Sequence, residues 1–346
     1  MESTIKDNHK QKALDLGSSS VIEAYTGNEE ELKIHRAICN EKFKTSDKRE
    51  TITNSDLLKN PKCHLLHHYD AYLMCGPFRI LVEYYLPFRI VFYDFFTQVE
   101  MDWITNYTRP KLSSKRRDPQ RMDLKNTGSK KAITVEKAVQ TWFNDITYNE
   151  KEELVKITNP LTDRIYESLP MKNPYGYKVE NNVLIAVSRR IEYATNLNIT
   201  TRYGSASYQA THYGLGGSVE AHMDPWGYES GNILPQDRLN LVRSGDYIAT
   251  FMGWLDTVNA GGGTMFHHEE AVGLLKPIKG AAAFWINLKS CHMIDYRTSH
   301  GGCPVLMGSK WILNKWIYSW DQWKVVPCKM EKALTIDPYK GIFSSE

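Results

Sequence analysis

Past residue 200 the chain is cut into short apolar segments by glycines, and this punctuation narrows what it can fold into. The segments are Ser207–Tyr213, Val219–Asp224, Asp246–Leu255, Thr264–Phe266, Ala281–Asn287, Val305–Met307 and Lys310–Ser319. Each is rich in β-branched and aromatic residues, which suit a pleated, half-buried surface. Gly216-Gly217, Gly261-Gly262-Gly263, Lys279-Gly280 and Gly301-Gly302 are placed to supply the turns between them. Seven or eight strands at such spacing predict a double-sheet jelly roll or a barrel, with any small-molecule or metal site in its mouth.

The first 200 residues read differently. Residues 1–60 are rich in Lys, Glu, Asp, Asn and Ser, with a helix expected at Glu29–Glu41 and disorder over the first 25 or so. Arg89–Tyr93 predicts a strand, and Asp94 is placed to cap a helix carrying Phe95, Val99, Trp103 and Ile104. Lys111–Lys131 holds eight Lys or Arg, broken by Asp118-Pro119 and Gly128, and reads as a solvated loop rather than a docking site for an acidic partner. Val135–Phe143 and Tyr148–Ile157 are short segments, and Asn159–Ser168 reads as helical. Val183, Leu184, Val187, Ile191 and Ala194 make Asn181–Leu197 an amphipathic helix, with Asn198 to end it. The expected division is a polar, partly disordered extension (1–80), a helix-rich support region (81–200), a β core (201–330) and a tail (331–346). The fold class is α+β, mainly β in the core.

Composition excludes little more. The 346 residues carry a net charge of +3, too small to argue for nucleic acid. No apolar run approaches the roughly 18–20 residues of a membrane span. The polar start lacks the apolar stretch of a secretory signal, which taken literally makes the protein cytosolic. Six scattered cysteines are too few for a disulfide scaffold. Asn106-Tyr-Thr and Asn198-Ile-Thr fit the glycosylation pattern.

His222 and Asp224 are one residue apart, so on a strand both side chains project to one face. A second imidazole would complete the two-histidine, one-carboxylate set that suits non-heme Fe(II) oxygenases. The same three residues could instead hold Zn2+ as a three-ligand hydrolytic site, or be satisfied polar groups of a plain sandwich. His67-His68 and His267-His268 read as surface pairs.

Four ordered stretches carry a resemblance: Tyr213–Asp224 (YGLGGSVEAHMD), Ile248–Phe266 (IATFMGWLDTVNAGGGTMF), Gly280–Leu288 (GAAAFWINL) and Ser299–Ile317 (SHGGCPVLMGSKWILNKWI). Together they resemble the catalytic domain of prolyl 4-hydroxylase alpha subunits of the collagen type, over about 200–328 and more faintly from Ile90. The resemblance implies a double-stranded β-helix and an Fe(II)/2-oxoglutarate-dependent dioxygenase. It implies His222, Asp224 and His300 as iron ligands. Lys310 would hold the distal carboxylate of 2-oxoglutarate, with Tyr213 and Thr264 adding hydrogen bonds. It also implies O2 as cosubstrate, L-ascorbate as reductant, a proline-containing and possibly collagen-like protein substrate, and a disulfide-isomerase-type partner subunit. Cys303 and Cys328 match one family disulfide, and Cys39 and Cys63 a second. Those bonds would place the protein in the endoplasmic reticulum lumen, with the cytoplasm as the alternative.

Three positions depart from the family's pattern. Where a Tyr, an Arg and a His commonly contact the peptidyl proline, this chain has Val219, Tyr247 and Tyr318. With Trp316 these residues would form a remodelled substrate pocket. Losing a charged hydrogen-bond contact costs about 1.5–3 kcal/mol, enough to alter substrate choice. The chain also lacks room for the helical peptide-binding domain of collagen-type enzymes, so weaker or altered peptide affinity is expected. The reading is thus a prolyl hydroxylase; the alternative is a divergent member with another substrate, or a catalytically weak assembly subunit.

Overall fold

In the computed structural model, the alternating apolar pattern of the second half closes into a curled antiparallel sheet. The structure describes residues 37–39, 63–66, 76–85, 87–112, 135–143, 147–148, 154–159, 164–167, 183–201, 203–225, 241–242, 244–330, 336 and 339. Strands β1 (Cys63–Leu66), β2 (Phe78–Tyr85) and β3 (Phe88–Tyr93) precede helix α1 (Gln98–Thr108) and β4 (Val135–Phe143). The short strands β5 (Thr147–Tyr148), β6 (Leu154–Asn159) and β7 (Arg164–Glu167) form a separate small sheet. Helix α2 (Val183–Thr195) leads into β8 (Tyr208–His222) and β9 (Tyr247–Trp254). The remainder is β10 (Val258–Gly261), β11 (Thr264–Phe266), β12 (Gly273–Leu275), β13 (Ala282–Ile286), β14 (His300–Gly302), β15 (Val305–Gly308) and β16 (Lys310–Tyr318).

The main sheet runs β1-β2-β3-β13-β9-β16-β8-β14-β11-β12, with β4 also on β8, while β10 and β15 pair separately. This is the expected mainly-β, double-stranded β-helix core with flanking helices. Strand alternation divides its side chains between two apolar clusters. Phe251, Phe284, Leu313 and Ile317 face one way and meet Leu184, Val187, Ile191 and Ala194 of α2. Met252, Trp254, Trp285 and Ile312 face the other way and fill the inside of the curl with Tyr213 and Phe266.

Several local expectations change. Gly216-Gly217 and Gly301-Gly302 are not turns but lie within β8 and β14. At Gly301 the reason is a close approach: an added Cβ would sit 3.0 Å from both the Ala221 nitrogen and the Val219 oxygen of the neighbouring strand. The helix expected at Asn159–Ser168 is absent where the structure describes it. There β6 and β7 pair in antiparallel register, Ile157 opposite Tyr166 and Thr158 opposite Ile165, as β-branched and aromatic residues favour. Asp94 does not cap α1; it takes a positive φ of 51° in the turn out of β3 and pairs with Arg79. The cap is Thr97, in a reciprocal capping box with Glu100. Helix α2 ends two residues early, at Asn196 with φ 56°. Of the helix expected at Glu29–Glu41, Ala37–Cys39 are described and helical. The first 25 residues, the pair His67-His68 and nearly all of the basic stretch lie outside the described residues.

The disulfide expectation is overturned. Cys39 bonds to Cys303, so neither the Cys39–Cys63 nor the Cys303–Cys328 pairing forms. Cys303 is buried against Met265 and Ile38. Cys328 is an exposed free thiol on a segment anchored elsewhere, where the Lys329 amide donates to the Ser290 carbonyl.

Both helices are tied together by Arg190, which donates to both carboxylate oxygens of Glu100 (2.7 and 2.9 Å) and to the Phe95 carbonyl (2.9 Å). Burial alone would raise the Glu100 carboxyl, but Arg190 and the Thr97 cap outweigh it and hold it below the usual range. A depressed carboxylate contributes stability above its unfolded value, and that contribution is lost as pH falls through the folded one. Glu100→Gln is therefore expected to cost about 2 kcal/mol at pH 7 in denaturant unfolding, with the deficit shrinking toward pH 3.

Candidate metal centre

Antiparallel register, not loop placement, assembles the site. His300 on β14 lies directly opposite His222 on β8, and their rings stand 4.7 Å apart. Asp224 follows two residues after His222 and is buried. Its Oδ1 is 3.7 Å from His222 Nε2 and its Oδ2 is 3.6 Å from His300 Nε2. One donor atom from each residue falls within 4.8 Å of the others.

Each imidazole is oriented by its own backbone neighbourhood. His222 Nδ1 lies 2.8 Å from the Glu220 carbonyl, and His300 Nδ1 lies 2.9 Å from the Thr298 carbonyl. A proton on each Nδ1 leaves both Nε2 lone pairs turned toward Asp224, the tautomer that metal ligation requires. Thr250 Oγ1 donates to Asp224 Oδ2 (2.5 Å) and accepts from Asn287 Nδ2 (2.8 Å), fixing the carboxylate. Trp285 packs edge-on against His300, with Phe266 on another side.

Electrostatics suit a cation at this point. Burial alone would raise the Asp224 carboxyl, but His300, His222 and the Thr250 hydroxyl hold it well below the carboxylate range. Burial pushes His300 down to about 4, against the pull of Asp224. Both groups are thus in ligating form at neutral pH. The donor set fits a divalent metal.

Lys310 faces the same interior. It opens β16 directly opposite Tyr213 of β8 and is buried, with Nζ 5.5 Å from the Tyr213 ring. Gly302, two residues past His300, borders it: a Cβ there would stand 3.9 Å from Nζ, an ordinary contact, and 2.9 Å from Val219 Cγ1. Burial pushes the ammonium down to about 7, with no carboxylate among the described residues offsetting it. Such a lysine is costly unless an anion arrives. Thr264 lies opposite Gly302 and is buried, with its hydroxyl 3.9 Å from Met252 Sδ. Burial raises the Tyr213 phenol.

Three of the four substrate-pocket candidates come together. Tyr247 stacks on Trp316 (5.7 Å) and on Tyr318 (5.3 Å). Trp316 is directly opposite Thr250, so this aromatic group shares the face of Asp224. Val219 belongs to the other cluster, against Gly302 and Tyr213. Sequence reasoning missed Thr250 and Asn287. Their signal was a hydroxyl amid the apolar run Tyr-Ile-Ala-Thr-Phe-Met and an amide closing Ala-Phe-Trp-Ile-Asn.

Two histidines and one carboxylate converging beside a buried lysine form a donor set of the kind that suits non-heme iron. Residues 208–318 match the family model of the 2OG-Fe(II) oxygenase superfamily. The chain is 33% identical over 208 residues to prolyl 4-hydroxylase subunit alpha-1 of Homo sapiens, covering 55% of this chain and 36% of that protein. It is 38% identical over 152 residues to subunit alpha-2 of Caenorhabditis elegans, covering 44% and 26%. The chain thus spans about a third of the length of the first of these relatives. Among solved structures, the viral collagen prolyl hydroxylase of Paramecium Bursaria Chlorella virus-1 in its 2OG complex aligns at 19% identity and TM-score 0.40, covering 66% of this chain and 95% of that one.

Thr250→Val keeps volume and removes the hydroxyl that fixes Asp224. Losing such an outer partner typically weakens metal binding about 10–100-fold. Titration of the metal-free variant with Co(II) is expected to show a loss in that range.

Proposed function

We propose that this chain is an Fe(II)- and 2-oxoglutarate-dependent prolyl 4-hydroxylase. It would couple decarboxylation of 2-oxoglutarate to succinate with insertion of one O2 oxygen into a peptidyl proline. The observation that carries this reading is Lys310, a buried cation without a carboxylate partner among the described residues, facing the same interior as the His222–Asp224–His300 cluster. A hydrolytic zinc site gives that lysine no task.

The iron would supply O2 activation and a chelation point for the cosubstrate. The rest is the chain's own work. His222, Asp224 and His300 hold the metal. Lys310 pairs with the distal carboxylate, and Tyr213 and Thr264 add donors beside it. Trp254, Phe266 and Trp285 keep the interior dry, which strengthens those charge contacts. Tyr247, Trp316 and Tyr318 present a neutral aromatic wall to the substrate, and Val219 narrows the cosubstrate end. Rings can stack on such a wall without a cationic hydrogen bond. L-ascorbate fits as the reductant that restores ferrous iron.

The Cys39–Cys303 bond supports maturation in an oxidising compartment such as the endoplasmic reticulum lumen. Among the described residues no helix is long and apolar enough to cross a membrane. The similar proteins are named as alpha subunits, which supports a partner subunit for this chain; that it is of disulfide-isomerase type rests on the family resemblance.

The test is succinate release from 2-oxoglutarate with ferrous iron, with and without a proline-rich peptide such as (Pro-Pro-Gly)n. Iron-dependent release stimulated by the peptide is expected. Release that no proline peptide stimulates would contradict the substrate, and none at all would contradict the chemistry. Lys310 adds a pH signature. Only its protonated form pairs with a dicarboxylate, and the free protein loses that proton near pH 7. Affinity for 2-oxoglutarate is thus expected to be full below pH 7 and to fall up to about tenfold per unit above it. Lys310→Ala should raise the 2-oxoglutarate requirement and flatten this profile while metal stays bound.

A further inference from the structure

The Cys39–Cys303 disulfide joins residues 264 apart in sequence, and it does so directly behind the metal centre. Cys303 follows β14, the strand that carries His300, and its amide donates to the Gly263 carbonyl (2.8 Å). Ile38 and Cys39 pack with Met265, Val272 and Leu274, and with Ala221 between Glu220 and His222. Met265 is directly opposite Gly301, and its Cε lies 2.9 Å from where a Cβ on Gly301 would be. Cys39 Sγ in turn lies 3.8 Å from Met265 Sδ. Because strand side chains alternate, Ala221, Met265 and Gly301 point away from the interior that His222, Phe266 and His300 face. One contact layer therefore backs both imidazole-bearing strands.

Strand β14 is only three residues long and is paired with β8 on one side and β11 on the other, with a register irregularity between His300 and Gly302. Packing behind it adds to the hold of these short ladders. The described part of this strap, Ala37–Cys39, is helical and packs across the sheet through Ile38 and Cys39. A covalent tether keeps it in place by limiting the states the free chain can reach.

We propose that Cys39, Cys303 and Ile38 are positioning residues for the metal centre, and that its metal affinity depends on whether this disulfide is formed. A dithiol reductant such as dithiothreitol would supply two electrons and two protons. The S–S bond breaks to two thiols, and the reductant closes to its cyclic disulfide. The strap then releases β8 and β14, and the two imidazoles no longer converge. This inference rests on the metal-centre reading but not on the choice of substrate.

The test uses the full-length, metal-free chain titrated anaerobically with Co(II), oxidised and after reduction, beside Cys39→Ser, Cys303→Ser, Ile38→Ala and the control Cys328→Ser. Reduced protein and both strap cysteine variants should bind about tenfold or more weakly, in the range of lost outer-shell support. Ile38→Ala should fall between, and Cys328→Ser should match the oxidised wild type. Amide exchange at 220–222 and 300–302 should quicken on reduction without metal present. Equal affinity in both redox states would overturn the proposal. So would cysteine variants with lowered thermal midpoints and unchanged metal affinity, since that is support of the fold alone. A chain that binds no Co(II) in either state would overturn the metal-centre reading itself.

Discussion

The antiparallel register between β8, β14 and β16 is the constraint on which the rest of this structure depends. It sets His300 opposite His222 and Lys310 opposite Tyr213, so the metal ligands and the cation face one interior. A slip of one residue would turn every one of these side chains to the other face. Gly301 serves that register rather than breaking its strand, since an added Cβ there would sit 3.0 Å from backbone atoms of Val219 and Ala221 on β8. Behind the same strands, Met265, Ala221 and the strap at Ile38–Cys39 fill the far side.

The interior is arranged at the expense of stability in the free protein. Asp224 gives up hydration and is compensated by two imidazoles and a chain of hydrogen bonds through Thr250 to Asn287. Lys310 gives up hydration with far less in return among the described residues, where its ammonium lies 5.5 Å from the Tyr213 ring. In the function proposed, an anionic cosubstrate restores that balance. The apolar packing of Trp254, Phe266 and Trp285 makes both penalties and both rewards larger.

Much of this was legible in the chain itself. His222 closes β8 and Asp224 lies two residues on, just past the strand end, while His300 and Lys310 stand on different strands, β14 and β16, and both pair with β8. Failures came where a local signal had a tertiary competitor. Gly216-Gly217 and Gly301-Gly302 looked like turns, yet both pairs lie within strands, and at Gly301 the neighbouring strand needs the space. Asp94 looked like a cap, yet Thr97 with Glu100 satisfied two orphan amides at once. Cysteine pairing could not be read from order, because Cys39 reaches Cys303 only after the sheet has brought β14 beside the strap. Thr250 and Asn287 were visible only as polar interruptions of apolar strands.

The most direct test of the account is a crystal structure of the protein with Mn(II) and 2-oxoglutarate bound anaerobically. Anomalous density for a single ion coordinated by His222 Nε2, His300 Nε2 and an Asp224 oxygen is predicted. The distal carboxylate of 2-oxoglutarate should lie within hydrogen-bond distance of Lys310 Nζ. An ion bound elsewhere, or a cosubstrate whose distal carboxylate leaves Lys310 without a partner, would contradict it.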